Sequence, residues 1–171
     1  MGSGGPALTD VFARWLLKLR PDQVEAVNAA LQDTHRESVA LEEQNAVRRT
    51  DEAGHVVTTI KPFPGPLAKL EDRLWDQLDK ILDPQQQSVA RLNLRLHPQL
   101  VQPPIALSEI VAPGFFGWGN DGAQIEIWRV GSWFHWRVST RGYADSEHRE
   151  AQLPEEYRRF WTDATPLPEK D

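Results

Sequence analysis

Cysteine is missing altogether from the 171 residues. That removes disulfides, thiolate zinc sites, thiol nucleophiles and Cys-held iron–sulfur clusters together. It leaves the compartment open, because exported chains without disulfides and chains from a reducing cytosol both satisfy it. No apolar run approaches the roughly 20 residues that a membrane-spanning helix needs, so no transmembrane segment is expected in this chain. Basic residues are outnumbered, with 19 Lys and Arg against 25 Asp and Glu and a formal net charge of −6. Such a balance argues against a broad phosphate-neutralising surface, and nucleic acid is not an expected partner.

Several catalytic signatures are lacking too. Ser132 and Ser139 have no Gly-x-Ser-x-Gly setting, there is no His-Glu-x-x-His, and Gly114-Phe115-Phe116-Gly117-Trp118-Gly119 has neither phosphate-loop nor dinucleotide spacing. The five histidines, His35, His55, His97, His135 and His148, include two in His-Arg-Glu triplets. Helical ligands face together at a spacing of three or four rather than two, so neither triplet makes a metal site. No cofactor and no metal are implied. Carboxylates are plentiful, but no spacing singles out an acid–base pair.

What is present is aromatic area and helical periodicity. The hydrophobic fraction is 40%, yet seven Trp and six Phe supply enough buried area for a packed core. Residues 1–7, beginning Met1-Gly2-Ser3-Gly4-Gly5, read as an added leader or a disordered segment. Thr9 or Asp10 can cap a short helix with Phe12, Trp15, Leu16 and Leu19 on one face. Pro21 suits a first helical turn, and from Asp22 to about Arg49 no Gly or Pro interrupts a long helix. Its stripe of Val24, Val27, Leu31, Ser38 and Leu41 turns polar at Glu42, Glu43, Gln44 and Asn45, an end expected to meet water or another chain. After a turn at Asp51–His55, Val56 to Ile60 reads as extended. Leu67, Leu70, Leu74, Leu78 and Ile81 then mark an amphipathic helix, and Asp83-Pro84 caps and starts another that His97-Pro98 stops.

Beyond the Pro- and Gly-rich stretch 98–122, Ala123 to Val130 and Trp133 to Thr140 alternate as strands joined by Gly131-Ser132 in a type II′ turn. That register sets Trp128 opposite His135 and Glu126 opposite Arg137 on a mixed face, with Ile125, Ile127, Phe134, Trp136 and Val138 turned to the core. Trp128, Trp133 and Trp118 are then candidates for an exposed binding platform, with His135 beside Trp128. Leu153 to Trp161 reads as a short closing helix that turns Tyr157, Phe160 and Trp161 inward.

One pattern occurs twice: Leu19-Arg20-Pro21-Asp22-Gln23 and Leu82-Asp83-Pro84-Gln85-Gln86 both fit Leu-x-Pro-x-Gln at a helix start. Leu closes one apolar segment, Pro opens the next, and Gln reaches back to an unpaired amide. The pair also resembles the two Leu-Thr-x-x-Gln motifs of the periplasmic LTxxQ stress proteins of the Spy and CpxP type and of related metal-resistance sensors. Leu19, Gln23, Leu82 and Gln86 match the outer motif positions, while Arg20 and Asp83 stand where the family has Thr. The resemblance covers residues 8–97. It implies a helical hairpin that pairs into a cradle-like dimer and holds unfolded clients or senses envelope stress.

The expected fold is therefore α+β: an N-terminal antiparallel helical hairpin or bundle over 8–97, a linker over 98–122, and an aromatic β-hairpin or small sheet with a short terminal helix over 123–165 packed on the helices. The expected function is a non-enzymatic, extracytoplasmic sensor or chaperone-like domain. Its partner would be a protein segment, a partner subunit or a second copy. The rival is a small hydrolase or ligand-binding enzyme with a site between helices and hairpin, for which Glu126, Arg137 and His135 would converge in a deep pocket.

Overall fold

Three prolines open three helices. Helices α1 (Pro21–Asn45), α2 (Pro64–Ile81) and α3 (Pro84–Leu96) each place Pro in the first turn, where its missing N–H costs no intrahelical bond. The computed structural model describes residues 7–8, 11–96, 101–102, 118–140, 143–144 and 147–162. The leader, the Thr9 or Asp10 cap, His97 and most of the 98–122 stretch, including Phe115 and Phe116, lie outside the described residues.

The architecture is α+β, and the chain divides into two compact units, Met1–Gln44 with Phe63–Asn120 and Asn45–Pro62 with Asp121–Asp171. In the first unit α1 and α2 run antiparallel. Gln23 near the start of α1 bonds the Ile81 carbonyl at the end of α2, and Arg73 midway along α2 pairs with Glu37 of α1. The core is the leucine stripe of α2, with Leu67, Leu70, Leu74 and Leu78 buried as the periodicity predicts, joined by Trp75, Val27 and Leu31. Arg91 of α3 lies over the Trp75 ring at 4.7 Å and bonds Asp79 at 2.5 Å. Strands β1 (Ala7–Leu8) and β4 (Val101–Gln102) form a two-stranded antiparallel ladder.

Two expectations for this unit change. The N-terminal segment winds as a wide turn, Val11–Leu16, that buries Ala13, Leu17 and Leu19 and leaves Trp15 and Leu16 exposed. The wider winding moves the inward face away from the 3.6-residue phase, and Lys18 at φ 50° reverses the chain between two buried leucines. In α1 the stripe becomes polar, as read, but stays inside: Thr34, Ser38 and Glu42 are buried. Thr34 answers its burial locally, its hydroxyl donating to the Ala30 carbonyl at 2.8 Å.

The long helix ends at Asn45, short of Arg49, because the next five residues form β2 (Ala46–Thr50) against β3 (Val56–Ile60). Strand β3 in turn pairs with β5 (Ala123–Val130), so the excursion between α1 and α2 joins the sheet unit. The domain division is accordingly discontinuous in sequence. Strand β5 pairs with β6 (Trp133–Thr140) in the register expected, Val130 opposite Trp133 through Ile125 opposite Val138, and Gly131 has the positive φ of 56° that the turn needs. Short strands β7 (Tyr143–Ala144) and β8 (His148–Glu150) both add to β6. One sheet face carries Val56, Thr58, Ile60, Ile125, Ile127, Trp136 and Val138. The terminal turn Glu155–Arg158 brings Tyr157 and Trp161 against Trp136 and Phe134, and Phe160 is completely buried.

Candidate functional site

The two Leu-x-Pro-x-Gln segments are brought together. Leu19, Leu82, Gln23 and Gln86 are all buried, the two glutamines to 3% and 9% exposure. The geometry is nearly two-fold. Gln23 Oε1 accepts from the Arg20 N–H at 3.1 Å, and Gln86 Oε1 accepts from the Asp83 N–H at 3.0 Å, so each glutamine caps its own helix start. Each amide nitrogen then crosses to the other segment. Gln23 Nε2 donates to Gln86 Oε1 at 3.0 Å and to the Ile81 carbonyl at 2.9 Å; Gln86 Nε2 donates to the Leu17 carbonyl at 3.1 Å and to Gln23 Oε1 at 3.4 Å.

Four hydrogen-bonding positions on each buried amide are thus answered without any charge, which is what makes burial of two polar groups tolerable. The symmetry breaks at the residue before proline. Asp83 returns a bond from its carboxylate to the Gln86 N–H at 2.9 Å, whereas Arg20 has no acceptor and pairs outward with Asp22. The capping role was readable from the sequence; the cross-segment bonds were not.

Between α1 and α2 lies an open groove of about 640 Å³, lined by Ala40, Leu41 and Pro66 with Gln44 and the charged Glu37, Lys69, Asp72 and Arg73. Its charges are of both signs, and Arg73 pairs with Glu37. It is an open surface of mixed apolar and charged lining.

In the sheet unit the mixed face is an ordered row. His55 stacks on one face of Trp128 at 4.5 Å and His135 on the other at 5.4 Å. Trp128 is consequently buried, at 8% exposure, not open as a platform; Trp118 is equally buried. Of the three expected tryptophans only Trp133 is exposed, at 37%, with the Arg149 guanidinium 4.6 Å from its ring. His135 packs beside Trp128 as read and holds Glu147 at 2.8 Å.

His55 was missed. Its signal was register: once Val56 pairs with Ile127, the preceding residue falls opposite Trp128. Glu126 joins His55 Nδ1 at 2.5 Å and Arg137 at 2.5 Å. Burial opposes ionisation of Glu126, but the hydrogen bonds and charges of Arg137 and His55 outweigh it and hold the carboxyl below its usual range. The Glu126 carboxylate raises the Arg137 guanidinium in return. Since Glu126 is ionised, it accepts, and His55 Nδ1 carries the shared proton. The Asp51 carboxylate accepts the His55 backbone N–H at 2.8 Å, which is the main reason its pKa is lowered.

Asp51, His55 and Glu126 have ligand atoms within 4.8 Å of one another, the donor set a small divalent ion would use. The fit is poor. Two atoms only 2.5 Å apart cannot both ligate one ion at ordinary angles, and Arg137 would set a second positive charge beside it. The arrangement is a closed hydrogen-bonded network. The α1–α2 groove and a smaller concavity lined by Thr59, Pro62, Asp121 and Ser139 include none of Glu126, His135 or Arg137 among their lining residues. Among the described residues no helix is long and apolar enough to cross a membrane. No family model, curated protein or solved structure matches the chain.

Proposed function

We propose that this chain is a non-enzymatic protein-binding domain, an extracytoplasmic sensor or chaperone-like module that grips polypeptide segments along its helical hairpin. The observation that carries the reading is the reciprocal Gln23–Gln86 pair. It ties the two motif-bearing helix starts together at one end of an antiparallel hairpin, while the groove near the other end of α1 remains open. The resemblance to the LTxxQ proteins supports the same reading, because the two matched glutamines are the ones that meet.

The groove supplies apolar side chains and charges of both signs, which suits loosely specified clients better than one fixed ligand. Homodimerisation along α1, and an envelope location, belong to this proposal. The test is suppression of aggregation of a denatured client protein, with and without added divalent metal. Suppression at near-stoichiometric ratios, unchanged by metal and weakened by Leu41→Asp in the groove, is the expected result. Failure to suppress aggregation at a severalfold excess of this chain overturns the holding function, and suppression only with metal moves the reading to metal sensing.

A further inference from the structure

The residues that line the α1–α2 groove stand at helical spacing. Glu37, Ala40, Leu41 and Gln44 recur along α1 at offsets of three, four and seven, and each helix turns one stripe into the groove. On α2, Lys69 and Arg73 follow Pro66 at three and seven, with Asp72 three beyond Lys69. Because the helices run antiparallel, Glu37 and Arg73 meet at one end, and Gln44 and Pro66 lie at the other. Seven residues of α1 make the groove about 10 Å long, a span that a partner helix fills with about two turns.

The four charges are not in the same state. Glu37 and Arg73 neutralise each other across the groove. Among the described residues Lys69 and Asp72, both exposed, form no ion pair, even with each other. They are separated by about 4.5 Å along the α2 axis. Residues on one face of an extended segment repeat about every 7 Å, whereas a helix offers neighbours three and four residues apart, about 4.5 and 6 Å along its axis. A helical partner therefore meets both charges from adjacent turns while its apolar stripe rests on Ala40, Leu41 and Pro66. The signs narrow the partner further, since a uniformly acidic helix sets a like charge against Asp72 and a uniformly basic one against Lys69.

We infer that the groove takes an amphipathic α-helix of a partner protein, carrying an acid and a base one turn apart beside a short aliphatic stripe. This rests on the protein-binding reading and specifies the conformation and charge pattern of the segment that is gripped.

The experiment titrates the full chain with the capped peptide Ala-Glu-Leu-Ala-Ala-Lys-Leu-Ala-Ala-Glu-Leu-Ala-Ala-Lys, whose leucines form one stripe and whose acids and bases alternate beside it. Backbone amide NMR gives saturable shifts confined to α1 and α2 around Ala40 and Lys69, and circular dichroism shows a gain of peptide helicity. Pro in place of the alanine after the second leucine breaks the peptide helix and abolishes binding. Versions with all charges Lys or all Glu bind about threefold more weakly, and Lys69→Glu moves the preference to the all-Lys version. Lys69 is exposed, so that variant keeps its fold, checked by an unchanged urea midpoint. The inference is overturned if no saturable shift occurs at millimolar peptide, if the Pro peptide binds equally, if shifts lie outside α1 and α2, or if the three charge versions bind alike. Client suppression that persists in any of those cases leaves the holding function standing on non-helical segments. Helix binding without client suppression upholds the inference and overturns the holding function.

Discussion

The helical unit and the sheet unit bury polar groups by opposite means. In the first, two neutral amides answer each other and four backbone groups, and no charge enters the arrangement. In the second, a buried carboxylate is shared by an exposed guanidinium and a half-buried imidazole, with a second imidazole on the far side of Trp128. The neutral pair gives a joint indifferent to pH and salt, as a structural hinge-pin needs. The charged row gives one whose strength follows proton concentration. Comparing how each responds to substitution and acid separates them.

The largest effects come from the two apolar cores. Phe160→Ala in the sheet unit removes a completely buried ring and costs about 3–5 kcal/mol, and Leu74→Ala in α2 costs about 2–5 kcal/mol. Urea unfolding followed by circular dichroism measures both. Loss of the strand signal in Phe160→Ala with the helical signal retained would show that the units unfold separately; simultaneous loss makes them one cooperative body. Next comes the amide pair. Gln23→Leu or Gln86→Leu alone leaves buried backbone and amide groups unanswered and costs about 1–3 kcal/mol, measured as a shift in urea midpoint.

The third effect is the acid response. The Glu126 carboxyl titrates below its ordinary value in the folded chain, so its contribution is complete above the ordinary carboxylate range and is lost as pH falls through the lower folded value. Glu126→Gln removes that acid limb of the stability profile, and Gln23→Leu leaves the limb in place. The smallest effect is Arg73→Gln, which breaks an exposed pair with Glu37 and shifts the urea midpoint too little to resolve above moderate salt.

Much of this was legible in the sequence. Alternation fixes the β5–β6 register residue by residue, since a one-residue slip would turn Ile125, Ile127 and Trp136 away from the core. The leucine repeat places α2, and proline with a following glutamine places the starts of α1 and α3. What failed depended on pairing between distant segments. The end of α1 looked helical because no breaker stands between Asn45 and Arg49; only the partner strand Val56–Ile60 pulls Ala46–Thr50 into a sheet. Trp128 looked exposed because its face is polar, and two imidazoles, one from beyond the hairpin, cover it. The Gln23–Gln86 contact spans 63 residues, a separation at which local periodicity is silent.

A double-mutant cycle on Gln23→Leu and Gln86→Leu, read as helical unfolding in urea, goes straight to the joint on which the hairpin depends. The two losses should fall short of adding by about 1 kcal/mol or more, because removing both amides leaves fewer orphaned partners than removing each in turn. Strict additivity would mean that the glutamines act independently at their own helix starts, and the locked hairpin would be contradicted.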